Sequence, residues 1–180
     1  MATTALISAE EYLSTSYRPD CDYVDGEVQE RNLGERWHSS VQSMIAAIFA
    51  QHRHEWKLTP LTEQRVQVSP TRFRIPDVCV VPVSDPFTSI LHTAPLLCVE
   101  ILSTEDRFSR ILERVEEYLQ MGVPHVWIID PRSREIWTVE QDGRPVPFPG
   151  VELTLPNTSV RIATPEIFAL IDESPAPSQP

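Results

Sequence analysis

Three runs decide the fold: Arg-Ile-Pro-Asp-Val-Cys-Val-Val at 74–81, Leu-Leu-Cys-Val-Glu-Ile-Leu-Ser at 96–103, and Val-Pro-His-Val-Trp-Ile-Ile-Asp-Pro at 123–131. Short apolar, β-branched runs bounded by Pro and Ser are strand signals. Between the second and third lies a helical pattern over 105–121. Phe108, Ile111, Leu112, Val115 and Leu119 form its apolar stripe, and Gly122 is a natural C-terminal cap. Two of the strand runs each carry one carboxylate, Asp77 and Glu100. An ionised carboxylate leaving water needs a partner or a metal. Two of them on neighbouring strands make a shared divalent cation the first hypothesis to test.

Working outward, Ser8 and Glu11 form a capping box for a short helix over 8–14. Residues 21–31 alternate around Asp25-Gly26, a hairpin signal because type I′ turns need positive φ. Glu27 follows that turn and reads equally as an exposed hairpin acid or a site residue. From Gly34 to Lys57 the pattern is helical, with Val41, Met44, Ile45, Ile48 and Phe49 on one stripe. His38 lies one turn before Val41, where it either faces water or looks into the molecule. His52 and His54 flank the helix end, with no metal-site spacing.

Residues 61–69 alternate as a half-buried strand, and Pro70-Thr71 turns into the Asp77 strand. Residues 82–95 are loop. Residues 134–139 make an outer strand, 142–158 loop and a short edge strand, and Pro165 opens a last helix through Ile171. The order helix, strand, strand, strand, helix, strand predicts an α/β fold of mixed α+β character. Its mixed central sheet is flanked by helices and built from a three-strand meander and a helical crossover. Residues 1–172 form one domain and 173–180 a disordered, Pro-rich tail.

A chain of 180 residues, 41% hydrophobic, suits a single core. It has no run long and apolar enough to span a membrane, and its N-terminus lacks the basic region of a signal peptide. Cys21, Cys79 and Cys98 are odd in number and read as buried thiols of a cytoplasmic protein. The net charge of −11 argues against a general nucleic-acid footprint. Phosphate binding must then rest on a local basic patch or on bridging metal ions. Of the 15 basic residues only Lys57 is lysine.

Mg²⁺ prefers one or two carboxylates, several waters and substrate phosphate oxygens. Asp77 and Glu100 supply that pair, with the backbone carbonyl of Ile101 as a third oxygen. An ion so held lowers the pKa of a bound water and stabilises charge on a phosphate, the minimum apparatus for phosphodiester hydrolysis. Plainer roles compete. Asp77 reads also as a strand-end acid on backbone amides, and Glu100 as a salt-bridge partner of Arg114 or Arg74. Arg107, Arg110 and Arg114 share one helix edge, either a solvated face or the rim of the site. Tyr118, Trp127 and Trp137 read as packing.

Pro76-Asp77, Val-Glu-Ile-Leu-Ser at 99–103 and Tyr118…Gly122-Val-Pro-His-Val-Trp-Ile-Ile-Asp-Pro131 resemble the Uma-two family of restriction-endonuclease-like proteins. Tyr-Val-Asp-Gly-Glu at 23–27 and His38 match its N-terminal pattern, so the resemblance covers about residues 8 to 140. The family falls within the PD-(D/E)xK nuclease superfamily. The resemblance implies a restriction-endonuclease-like α-β-β-β-α-β core and an endonuclease hydrolysing DNA by metal-activated water. It implies Mg²⁺ or Mn²⁺ on Asp77 and Glu100, Glu27 and His38 near the site, and a possible homodimer. Where the superfamily has lysine two residues after the acid this chain has Leu102, and where the family has lysine on the following helix it has Arg114. Arginine steadies phosphate but stays protonated and cannot act as a base. The roles expected on that reading are Arg114 and Arg110 on phosphate, with Arg107 beside them. The alternative is a catalytically silent nuclease-fold module that binds nucleic acid or a partner protein.

Overall fold

The computed structural model describes residues 6–31 and 35–173; the expected helix start at Gly34 and the tail from 174 lie outside them. Ser8 caps helix α1 (Ala9–Ser14), its hydroxyl accepting the Glu11 N–H at 3.1 Å. Strands β1 (Cys21–Val24) and β2 (Glu27–Glu30) close the expected hairpin. Its turn residues Asp25 and Gly26 both take positive φ, 49° and 102°, as a type I′ turn requires. The single helix expected up to Lys57 is two, α2 (Arg36–Gln51) and α3 (Arg53–Trp56), parted at His52. Lys57 ends the second in the left-handed region.

The strand expected over 61–69 is also two, β3 (Leu58–Thr62) and β4 (Val66–Ser69). Glu63, at φ 50°, turns the chain between them. Strand β5 (Arg72–Arg74) then returns along β4 before β6 (Val78–Pro82) and β7 (Leu97–Ile101). Helix α4 (Phe108–Met121) leads to β8 (His125–Asp130) and β9 (Glu135–Val139). Short strands β10 (Pro145–Pro147), β11 (Glu152–Thr154) and β12 (Arg161–Ala163) precede α5 (Thr164–Asp172).

The main sheet has the order β10-β9-β8-β7-β6-β3. β3, β6 and β7 are antiparallel in sequence, and α4 carries the chain across to β8, parallel to β7. This is the expected meander and crossover, with the β4–β5 hairpin inserted into it. That hairpin joins β1 and β2 in a second sheet of order β2-β1-β5-β4. Both faces of the β7–β8 pair are covered, which is why these strands read as unbroken apolar runs rather than alternating ones. On one face Val41, Ile45 and Phe49 of α2 pack with Val78, Val99, Ile101 and Trp127. On the other, Ile111, Val115 and Tyr118 of α4 pack with Cys79, Cys98, Val126 and Ile128. Phe108 falls outside that stripe and stands its ring edge-on to Trp137. Cys21, Cys79 and Cys98 are buried free thiols. Among the described residues no helix is long and apolar enough to cross a membrane.

The α4–β8 junction depends on Gly122, at φ 99°, which lets the Val123 N–H return to the Tyr118 carbonyl at 2.9 Å. A Cβ there would meet only Ala94, at 4.0 Å, so substitution costs backbone strain without a clash. Gly122→Ala should lower unfolding free energy by about 1 kcal/mol, and Gly122→Asn by less. Urea titration checks this; equal losses for the two variants would assign the effect to packing instead.

Candidate functional site

Strands β6 and β7 pair with Val78 opposite Val99 and Cys79 opposite Cys98. One step beyond, the same register sets Asp77 against Glu100. Alternation along β7 sends Val99 and Ile101 toward α2, and Cys98 and Glu100 toward α4. Both acids are buried, Asp77 at 3% exposure and Glu100 at 0%. Asp77 Oδ2 accepts the Ile101 N–H at 2.7 Å, so the two strand ends are tied together through the acid itself. From α2, Gln42 donates to the Asp77 carbonyl at 2.9 Å.

Three cationic groups meet this pair. Arg31 Nη2 lies 2.6 Å from Asp77 Oδ1, and His38 Nε2 3.2 Å from Oδ2. Arg114 Nη1 donates to Glu100 Oε2 at 3.0 Å, and the Tyr118 hydroxyl to Oε1 at 2.6 Å. Burial drives both acids toward their neutral forms, and their neighbours decide how far each goes. At Asp77 burial is outweighed by His38, Arg31 and the Ile101 N–H, and the carboxyl sits below its ordinary range. At Glu100 burial, aided by the negative Asp77, prevails over Arg114 and Tyr118 and pushes the carboxyl up to about 7. His38 is desolvated too, yet its bond to Asp77 raises it toward the cationic form.

Behind the pair lies a second buried network. Arg74 reaches Glu117 through Nε at 2.5 Å and Nη2 at 3.0 Å, and Asp22 through Nη1 at 3.0 Å. Asp22 also faces Arg114 Nε at 3.2 Å and accepts the Ile75 N–H at 3.1 Å. Of the two salt-bridge partners expected for Glu100, Arg114 takes the role and Arg74 serves Glu117 and Asp22. Tyr118 packs as expected, but its hydroxyl is part of the site.

The structure therefore brings Asp77, Glu100, Ile101, His38 and Arg114 into one place. Glu27, Arg107 and Arg110 are exposed and lie apart. Glu27 and Arg110 line a neighbouring cleft of about 510 Å³, shared with Arg74, Glu113 and Arg114. Arg107 stands where the chain enters α4. Arg114 also borders a pocket of about 20 Å³ lined by Arg31, His38, Asp77, Ile101, Ser103 and Asp106, and so joins the two spaces. Arg31, Asp22, Glu117 and Gln42 escaped the sequence reading. Their partners lie 35 or more positions away, beyond any local pattern.

The donor set suits a hard divalent ion. Each carboxylate offers about four acceptor positions, so Asp77 Oδ1 and Glu100 Oε2 keep a free lone pair beside their arginines. The N–H and C=O of one strand residue point to the same edge, so the Ile101 carbonyl joins its N–H on the Asp77 side. The small pocket holds about one water-sized particle. Among the described residues no three His, Cys, Asp or Glu side chains are grouped to hold a metal. Two carboxylates plus water and phosphate oxygens are the Mg²⁺ preference in any case.

Residues 9–163 match the family profile Uma2, described as "Putative restriction endonuclease". The chain belongs to that family. Among solved structures, a nuclease assigned as "putative" in DUF820, from Anabaena variabilis ATCC 29413, superposes with a TM-score of 0.77 at 19% identity. The match covers 91% of this chain and 98% of that one, and so shows a shared fold. No curated protein matches the chain.

A pH dependence follows from Glu100. Its carboxyl binds a proton more tightly folded, at about 7, than at its ordinary value of 4.5. Between those pH values the folded state holds the extra proton, so stability falls as pH rises, and the contribution of this proton is fully lost above the upper value. Without divalent ions, the stability of wild type relative to Glu100→Gln should drop by roughly 1–3 kcal/mol across that window. Urea unfolding at its two ends measures this; a constant difference would mean that Glu100 titrates normally.

Proposed function

We propose that this Uma2 protein is a divalent-metal-dependent endonuclease that hydrolyses DNA phosphodiester bonds with water. The observation that carries the reading is the placement of Asp77 and Glu100, buried side by side on adjoining strand ends, next to a small pocket that Asp77 and Ile101 line. Asp77, Glu100 and the Ile101 carbonyl would hold Mg²⁺ or Mn²⁺. When bound, the ion supplies water activation and stabilises charge on the phosphate in transit.

The side chains do the positioning. Arg114 keeps one guanidinium nitrogen on Glu100 and another toward Asp22, and it stands at the junction with the larger cleft. Its permanent charge suits a phosphate oxygen, and it cannot accept the proton of the attacking water. Arg110 on the cleft wall and Arg107 at the helix entrance extend the same cationic edge toward a nucleic-acid backbone. Glu27 lies on the opposing hairpin, facing the substrate cleft rather than the ion. Cutting both strands of a duplex needs two such sites, so a homodimer belongs to this reading.

A second reading has its own support. Leu102 and Arg114 occupy the lysine positions, and Arg31, His38 and Arg114 already neutralise both acids. A site balanced in this way suits a nuclease fold that binds nucleic acid or a partner protein without cutting.

Mn²⁺ titration calorimetry combined with plasmid nicking separates the two. The endonuclease predicts saturable Mn²⁺ uptake and nicking by wild type. Asp77→Ala and Glu100→Ala should each reduce nicking by at least about 100-fold, more than loss of a supporting group costs. Saturable uptake with no cleavage of supercoiled, linear or single-stranded DNA would replace the enzyme by the silent module.

A further inference from the structure

Arg31 belongs to no expected motif, yet it makes the shortest contact to Asp77, 2.6 Å from Nη2 to Oδ1. Its side chain is 12% exposed and lines the 20 Å³ pocket together with Asp77 and Ile101. The other two cations at the acids are held by regular structure. His38 is buried in α2, and Arg114 is anchored in α4 with Asp22 behind it. Arg31 instead follows the last residue of β2. Its guanidinium is the cation on Asp77 that can leave without unpacking a helix.

Charge makes that departure necessary. Arg31 and Arg114 already match the charges of Asp77 and Glu100, with His38 as a further cationic partner and Asp106 as a further acid at the same pocket. A divalent ion added to this set would lie in a water-poor pocket beside an uncompensated guanidinium, where repulsion is poorly screened. Replacing Arg31 by the ion relieves part of it, and bringing in a phosphate removes the rest. The displaced guanidinium is still tethered at the pocket. Its planar fork matches phosphate oxygens in a way a solvated lysine would not.

On the metal-site reading above, we propose that Arg31 is a resident counter-cation that exchanges with the divalent ion on Asp77 and passes to a phosphate of the nucleic acid. Ion and nucleic acid then bind with positive coupling, each raising the affinity for the other by the same factor. Arg31 is the element that carries the coupling.

The test is Mn²⁺ binding, read from loss of the free-ion electron-paramagnetic signal, so that no turnover is required. Wild type, Arg31→Ala, Arg31→Gln and Asp77→Asn are compared with and without a short phosphorothioate DNA duplex, which resists cleavage. Without DNA, both Arg31 variants should bind Mn²⁺ at least about tenfold tighter than wild type, the factor matching one charge-assisted hydrogen bond. The duplex should tighten Mn²⁺ binding by wild type and leave the Arg31 variants nearly unmoved, while Asp77→Asn loses the site. Unchanged Mn²⁺ affinity in folded Arg31→Gln, with Asp77→Asn still abolishing binding, would overturn the exchange and leave the metal site standing. Mn²⁺ uptake that is absent, or indifferent to Asp77→Asn, would overturn the metal site and the exchange with it.

Discussion

The β6–β7 register sets two buried carboxylates face to face, and much of the surrounding structure answers that one constraint. Neither acid has the surrounding water that would make its charge tolerable, and each makes the other's ionisation harder. The chain supplies positive charge from three directions: Arg31 after β2, His38 from α2 and Arg114 from α4. Supplying it brings further needs. Arg114 is itself mostly shielded from water, its side chain 15% exposed, and Asp22 stands behind it. Asp22 lies beside Arg74, and Arg74 is balanced by Glu117. The second sheet is tied into this arrangement, since β1 carries Asp22 and β5 carries Arg72 and Arg74.

The two acids divide the available charge unequally. Asp77 has two cations and a backbone N–H, which hold its carboxyl below the ordinary range. Glu100 shares its single arginine with Asp22 and takes its other bond from a neutral hydroxyl, so its carboxyl rises to about 7. A neighbouring pair split in this manner has one member fixed as an anion and one near the point of protonation. Groups displaced from ordinary titration cluster where chemistry happens, although a structural ion network produces the same displacement. The pocket beside Asp77 and the cleft beyond Arg114 favour the functional sense, because a purely structural network has no need of open space next to it.

What the sequence exposes and what it hides follow from the range of each interaction. Asp25-Gly26, the Ser8 cap, Gly122 and the apolar runs of β6, β7 and β8 are local signals, and the elements they mark are where they were expected. The breaks were hidden. Glu63 is neither Gly nor Pro and lies among polar neighbours, Thr62 and Gln64, so the change of sheet there leaves no mark on the pattern. His52 interrupts a helix whose residues on both sides favour helix. Phe108 keeps the right spacing for a buried stripe but falls in the first turn, beyond the sheet that would cover it. Asp77 and Glu100 stood out because an acid within an apolar run is costly. Arg31 and Glu117 sit beside other polar residues, where a charge raises no local conflict, whereas Asp22, between Cys21 and Tyr23, carries the same signal as Asp77 in a shorter run.

The replacement of lysine by Arg114 has a structural sense beyond the loss of a potential base. A lysine ammonium is a compact point charge, and burial lowers its pKa and invites it to shed its proton. Between Glu100 and Asp22 that loss would leave Glu100 with only the neutral Tyr118 hydroxyl and Asp22 with Arg74 and a backbone N–H alone. Arginine remains charged there, and its extended fork meets both acids at once, Nη1 on one and Nε on the other. The near absence of lysine from the chain fits the same demand, because the buried or half-buried cationic positions on β5, α4 and after β2 each need a charge that survives desolvation. A site organised in this way takes proton-transfer ability away from its basic residues and leaves it with the carboxylates, His38 and whatever ion they hold. Any hydrolysis performed here must draw on those groups, so the arginines set where a phosphate can sit rather than how its bond is broken.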